Sequence, residues 1–384
     1  MHFRRLLMVG SVVGTAASAL LTSPATLSSA PSAERRVIIA YVFPKDGLID
    51  PAEIAAEKLT HINYAFANVA DGKVVEGFAK DTENFKVLTG LRKRQPHLKL
   101  LVSVGGWTWS KDFSDAALTP RSRKVFVESA VAFVRRHDLD GFDVDWEYPG
   151  MIGDGNVFRA EDKENFTALM ADLRAALDAL GKSMKRPLLL TFAAGASSEF
   201  LEHTEMAKVQ ASVDFVNLMT YDFRVAEGEG EAGHHANLYP NPADPIRASA
   251  DRFVREFLAA GVPPGKLVLG VPFYGRAWSV TSAEANGLYQ PAKPPAEKIE
   301  TSYARLAADR VGKGGFERVW DDEAQAPFLW SAEQRIFIGY EDPESLRAKC
   351  RYIREQKLAG AMFWEYYADR SGVLLDTLAE GLLK

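Results

Sequence analysis

The stretch LDGFDVDWEYPG, residues 139–150, sets acids at Asp140, Asp143, Asp145 and Glu147, with Phe142, Val144, Trp146 and Tyr148 between them. In an extended strand, side chains two apart share a face. Asp143, Asp145 and Glu147 therefore form one row, with about 6–7 Å between neighbours. Asp140 has the opposite parity and sits at the start, where it caps or braces the entry to the strand. Three carboxylates on one face make a poor core. Like charges that close cannot all ionise cheaply, so at least one proton is shared and one acid is held neutral near pH 7. A carboxylic acid held neutral is what a general acid requires. A solvated strand edge would seldom alternate acids with Phe, Val, Trp and Tyr.

The surrounding chain has 384 residues, 47% hydrophobic and 25% charged, ordinary values for a globular protein. That length allows two or three domains, or one large α/β barrel. A formal net charge of −5 argues against nucleic acid or an anionic membrane as the main partner. Residues 1–33 begin with His2, Arg4 and Arg5. A short apolar run rich in small residues follows, then a Ser/Pro/Ala segment, the pattern of a secretory signal and leader rather than a membrane span. Secretion to the cell exterior or periplasm, with no stable membrane association, is therefore expected. A single cysteine, Cys350, precludes an intramolecular disulfide, so a large core must carry stability. The histidines lack metal-ligand spacing, and the Gly-rich run GEGEAG at 228–233 lacks the strand–turn–helix context of a phosphate loop. No metal or cofactor is expected, and that run reads as a flexible loop.

Short apolar runs alternate with amphipathic segments along the chain. Strands are predicted at 37–42, 59–67, 98–104, the acidic stretch, 187–194, 213–220, 266–271 and 360–364. Helices are predicted at 51–58, 82–95, after Thr119 as N-cap with Pro120 at N1, at 164–180 with Gly181 as C-cap, at 245–260, at 343–356 and from 374. Eight strands alternating with helices give a (β/α)8 TIM barrel. The interval after strand seven is too long for one crossover. The barrel is thus assigned to 34–275 and 338–384, and a small α+β insertion domain to 276–337. Barrel active sites lie at the carboxyl ends of strands, where Glu147 ends its row. Other strand ends carry Tyr41, Phe66, Ser103 through Trp107, Met219, Tyr221, Asp222, Tyr274, Arg276 and Trp364. Aromatic faces beside carboxylates suit a carbohydrate.

DGFDVDWEYPG resembles the DxxDxDxE signature of glycoside hydrolase family 18, the chitinases. SVGGW at 103–107, MTYDF at 219–223 and AMFWEYYAD at 361–369 are similar to its other motifs, and GVPFYGRAW at 270–278 to the lead into its inserted domain. The resemblance runs in order from about residue 36 to 384. This family stands apart from the two-carboxylate scheme of most glycosidases, because its mechanism is substrate-assisted.

The resemblance implies a secreted chitinase acting on chitin or chitooligosaccharides, with Glu147 as acid and then base. Asp145 would hold the acetamido N–H, Tyr221 its carbonyl, and Asp143 would share a proton with Asp145. Trp364 would floor the −1 subsite between Tyr41 and Phe66. Asp222 and Arg276 would contact hydroxyls, and Trp107 would stack on the +1 sugar. Gly106, Tyr148, Met219 and Tyr274 would also line the substrate site, and Asp140 and Ser103 would be structural. The segment 223–233 lacks the Trp that some chain-processing members carry there. A monomer is expected. An endo-β-N-acetylglucosaminidase, a chitin-binding lectin and a purely structural barrel are the competing readings.

Overall fold

In the computed structural model, which describes residues 36–384, the apolar runs become strands around one large core and two smaller buried clusters; the expected leader lies outside the described residues. The strands, in chain order, are β1 (Val37–Val42), β2 (His61–Ala70), β3 (Lys73–Val75), β4 (Lys99–Gly105), β5 (Gly141–Asp145), β6 (Leu189–Gly195), β7 (Phe215–Met219) and β8 (Gly230–Glu231). They continue as β9 (Leu267–Pro272), β10 (Arg276–Val280), β11 (Pro291–Lys293), β12 (Glu317–Asp321), β13 (Ala326–Ser331), β14 (Ile336–Gly339) and β15 (Gly360–Trp364). Strands β1, β2, β4, β5, β6, β7, β9 and β15 pair in parallel. Because β1 pairs with both β2 and β15, the ring closes: a TIM barrel.

Local chemistry explains the elements. The helix Pro120–Arg136 starts where Thr119 Oγ1 accepts the Ser122 N–H and Ser122 Oγ accepts the Thr119 N–H, a reciprocal cap with Pro120 at N1. It buries Phe126, Ala130, Phe133 and Val134 against the sheet. The outer face of β5 is secured by Phe142, Val144 and Trp146, all at most 1% exposed, with Trp146 stacked on Phe113 at 5.5 Å.

Several expectations are corrected. A helix over 51–58 is reduced to the 3-10 turn Ala56–Lys58, because the Ala55 N–H donates to the Tyr366 hydroxyl at 2.7 Å instead of a helical carbonyl. The helix expected from 245 is Ala250–Ala259, capped by Ser249. Gly181 does not end its helix, which is Asp162–Met184; the left-handed residue is Lys185, and its N–H returns to the Gly181 carbonyl.

A second sheet, ordered β12-β13-β14-β10-β11-β8, is formed by strands that follow β9 together with β8 from the segment before it. It reaches Gly339, beyond the expected limit, and it includes part of the run read as a flexible loop. Gly230 and Glu231 pair with Ala292 and Pro291, so backbone pairing orders a segment whose side chains carry no strand signal.

Candidate active site

The carboxyl ends of the barrel strands surround a cleft of about 1010 Å³. Its lining includes Tyr41, Phe66, Trp107, Asp145, Glu147, Tyr148, Met219, Tyr221, Asp222, Tyr274, Arg276 and Trp364. Phe43, Lys45 and Trp109 also line it and were missed; Phe43 packs on both Phe66 and Trp364, at 5.8 and 5.6 Å. Phe66 stacks on Trp364 at 5.3 Å with 18° between planes, which makes an aromatic floor.

The acids sit at graded depth. Asp143 is fully buried within the barrel. Its Oδ2 accepts Tyr41 Oη at 3.0 Å and Ser103 Oγ at 2.8 Å, while Oδ1 accepts Asn217 Nδ2 at 3.1 Å and the Thr191 hydroxyl. Burial pushes its pKa up, and these four bonds pull it back. Thr191 and Asn217 were missed. The only signal would have been a polar residue inside an apolar strand run, and which face it takes depends on the closed barrel.

Asp145 ends β5, and its Oδ1 is buried without a hydrogen-bond partner among the described residues. Burial, then the charges of Glu147 and Asp143, drive its pKa well above the carboxylate range. Both causes favour the protonated form of Asp145. In this arrangement the Asp143 oxygens are held by Tyr41, Ser103, Thr191 and Asn217.

Glu147 lies past the end of the strand, 9% exposed. Burial raises its pKa to about 7; a Tyr148 hydrogen bond opposes this, and the charge of Asp222 adds to it. Its backbone is held by a residue that the sequence pattern does not single out. Buried Ser110 accepts the Glu147 N–H at 2.8 Å and lies 3.0 Å from the Asp145 carbonyl and 2.9 Å from that of Gly106. Ser110→Ala is expected to cost about 1–3 kcal/mol by stranding that N–H. Urea unfolding measures this, and kcat should fall with it.

Tyr221 keeps its phenol proton, since burial and the charges of Asp145, Glu147 and Asp222 raise its pKa well above the ordinary tyrosine value. It is therefore a donor facing the acids. Asp222 is engaged by protein: Arg276 Nε and Nη2 donate at 2.8 and 2.6 Å, Tyr274 Oη at 2.8 Å, and His235 Nδ1 lies 3.3 Å away. Burial opposes its charge, but His235 and Arg276 outweigh burial and hold its pKa well below the usual range. Gly106 is likewise used by the fold. Its φ is +79°, its N–H donates to the Asp145 carbonyl at 2.8 Å, and a Cβ would stand 2.7 Å from the Phe66 ring. Gly106 is thus backbone support under the cleft. Asp140, 3% exposed, pairs with Arg92 at 3.1 Å and Arg186 at 3.4 Å and accepts the Leu100 N–H at 3.0 Å.

The family model for glycosyl hydrolases family 18 matches residues 36–369. This chain belongs to glycoside hydrolase family 18. It is 39% identical to Chitinase A1 of Niallia circulans over 86% of this chain, and spans 56% of that protein's length. It is 34% identical to Chitotriosidase-1 of Mus musculus, over 84% of this chain and 68% of that one. Among solved structures, a family 18 N-acetylglucosaminidase from Paenibacillus barengoltzii is 42% identical with TM-score 0.83, covering 90% of this chain and 100% of that one. Chitinase ChiA74 from Bacillus thuringiensis is 36% identical with TM-score 0.84, covering 91% and 70%.

With Glu147 held at a pKa of about 7, kcat/KM is expected to fall roughly tenfold per pH unit above it if that residue is the general acid. Initial rates across that range test this. A flat profile to about two units above the pKa would show that Glu147 is not the acid.

Proposed function

We propose that this glycoside hydrolase cleaves β-1,4 links of chitin or its oligomers with retention, by a substrate-assisted reaction. The observation that carries the reading is buried Asp145, with an oxygen lacking any partner, between tightly held Asp143 and proton-bearing Glu147. A buried polar atom left unpaired is costly, and a ligand group can satisfy it.

Glu147 gives its proton to the glycosidic oxygen. The acetamido carbonyl of the −1 sugar attacks the anomeric carbon, the C–O bond breaks, and an oxazolinium ion forms. Asp145 turns to accept the acetamido N–H and offset the positive charge, passing its proton toward Asp143. Tyr221 donates to the acetamido oxygen. Glu147, now anionic, takes a proton from water as the water opens the oxazolinium ion, Asp143 returns the shared proton to Asp145, and the enzyme is restored. Trp364, Phe66 and Tyr41 hold the −1 sugar, Trp107 stacks on the +1 sugar, and Tyr148, Met219, Tyr274 and Arg276 line the groove. The pattern of residues 1–33 supports export, and the second sheet supports an inserted domain that walls the groove.

A second reading is an exo-acting N-acetylglucosaminidase. The Paenibacillus barengoltzii likeness favours it, as does the absence of Trp from 223–233. Chromogenic glycosides of one, two and three N-acetylglucosamine units separate the two. Faster release from the disaccharide or trisaccharide supports the chitinase. Release mainly from the monosaccharide assigns the exo reading, and release from none of them removes both.

A further inference from the structure

Several of the large apolar side chains exposed among the described residues lie on or next to the segments that line the cleft. Trp107, Val225 and Ile246 line it, and Ile152, Val157 and Phe158 lie on the segment that follows its lining residues Tyr148 and Met151. Ile152 is 75% exposed, Phe158 47% and Val157 43%.

The segment is built to hold them there. Fully buried Asp162 accepts the Gly150 N–H at 3.2 Å, the Arg159 N–H at 2.8 Å and the Ser114 hydroxyl at 2.6 Å, which ties both ends together. Asn156 closes the middle, accepting the Gly153 N–H at 2.6 Å and donating to the Met151 carbonyl at 3.0 Å. At Gly153 the segment presses on the acid's own backbone, where a Cβ would stand 2.3 Å from the Glu147 carbonyl oxygen. Its far side meets the turn that carries Trp107, with the Val157 N–H 3.5 Å from the Lys111 carbonyl. Ile152, Val157 and Phe158 stay exposed on the segment that these bonds fix.

We propose that Ile152, Val157 and Phe158 form an accessory binding surface for the polymer, on the leaving-group side beyond the sugar stacked on Trp107. This rests on the chitinase reading. The surface is continuous with the cleft through Met151 and Trp107, whose ring lies 6.4 Å from that of Tyr148. Chitin is uncharged and presents C–H faces between hydroxyl edges, so rigid apolar side chains beside exposed Lys111 and Asp154 match it. The wall at 223–233 offers Phe223, Val225 and Glu227 and no Trp, and the 150–160 segment adds exposed apolar contact for the leaving chain.

The test compares wild type with an Ile152→Ser/Phe158→Ser double variant, and with Phe158→Trp. On chromogenic diacetylchitobioside the three should agree within about twofold, because that substrate ends before the surface. On colloidal chitin, and in binding to chitin beads in a Glu147→Gln background, the double variant should lose about tenfold. Phe158→Trp should match or exceed wild type. Equal loss on both substrates, or no loss on the polymer, overturns the proposal. So does a wild-type dimer in sedimentation that the double variant dissolves, since the occupant would then be a second copy. Wild type inactive on the short glycoside and on chitin would instead overturn the chitinase reading beneath it.

Discussion

Glu147→Gln is expected to lower hydrolysis of diacetylchitobioside at least about a hundredfold, the scale of general acid–base catalysis. The amide keeps the shape of the side chain and has no proton to give at any accessible pH. Loss should fall on kcat, with binding to chitin retained, because Trp364, Phe66 and Trp107 are untouched. The same substitution carries a second, independent sign. Burial raises the Glu147 pKa from 4.5 to about 7, so the folded state binds more protons than the unfolded chain between those values. Wild-type stability therefore falls as pH rises through that window, and the loss is complete above the folded pKa. The variant lacks this penalty, so its Tm should exceed that of wild type above about pH 7 and approach it near pH 4.5. A catalytic loss without the Tm crossover would mean that the acid is less buried than the structure places it.

Lys349→Met is expected to cost about 3–5 kcal/mol of stability, the largest effect outside the cleft. Lys349 and Glu341 are 0% and 2% exposed and in direct contact. Lys349 also donates to the Ala236 carbonyl at 2.6 Å, and the Ser345 hydroxyl donates to Glu341 at 2.6 Å. Burial pushes Glu341 up and Lys349 down, so each charge persists only because of the other. Removing the lysine leaves a lone buried carboxyl. Adding Glu341→Leu should return most of the loss, since an apolar pair carries no desolvation cost. Urea unfolding of the two variants measures both steps, and a single-variant cost below about 1 kcal/mol would show the pair to be solvated. Ala236 adjoins His235, which faces Asp222 in the cleft, so activity should fall along with stability.

Much of the site was legible in the sequence for a physical reason: a strand has period two. The alternation from Asp143 to Tyr148 separates acids from large apolar residues without reference to any other element, and Phe142, Val144 and Trp146 are buried accordingly. The repeat of apolar runs and amphipathic helices likewise implies a parallel sheet, because parallel strands need a crossover between them. Helix bounds were less legible where a distant group captures a backbone donor, as Tyr366 does at Ala55.

The barrel, the row of acids and the aromatics at the strand ends follow from the order of residues with no other input. How those acids differ was decided by the tertiary structure alone. Asp143, Asp145 and Glu147 are chemically alike along the chain, yet one is bonded by Tyr41, Ser103, Thr191 and Asn217, one has an oxygen with no partner, and one carries a pKa of about 7. Asp222 and Arg276, read from the sequence as two sugar contacts, are also paired with each other in the cleft lining. Desolvation and hydrogen bonding depend on groups brought from other strands, and only closure of the barrel sets those groups around each carboxylate.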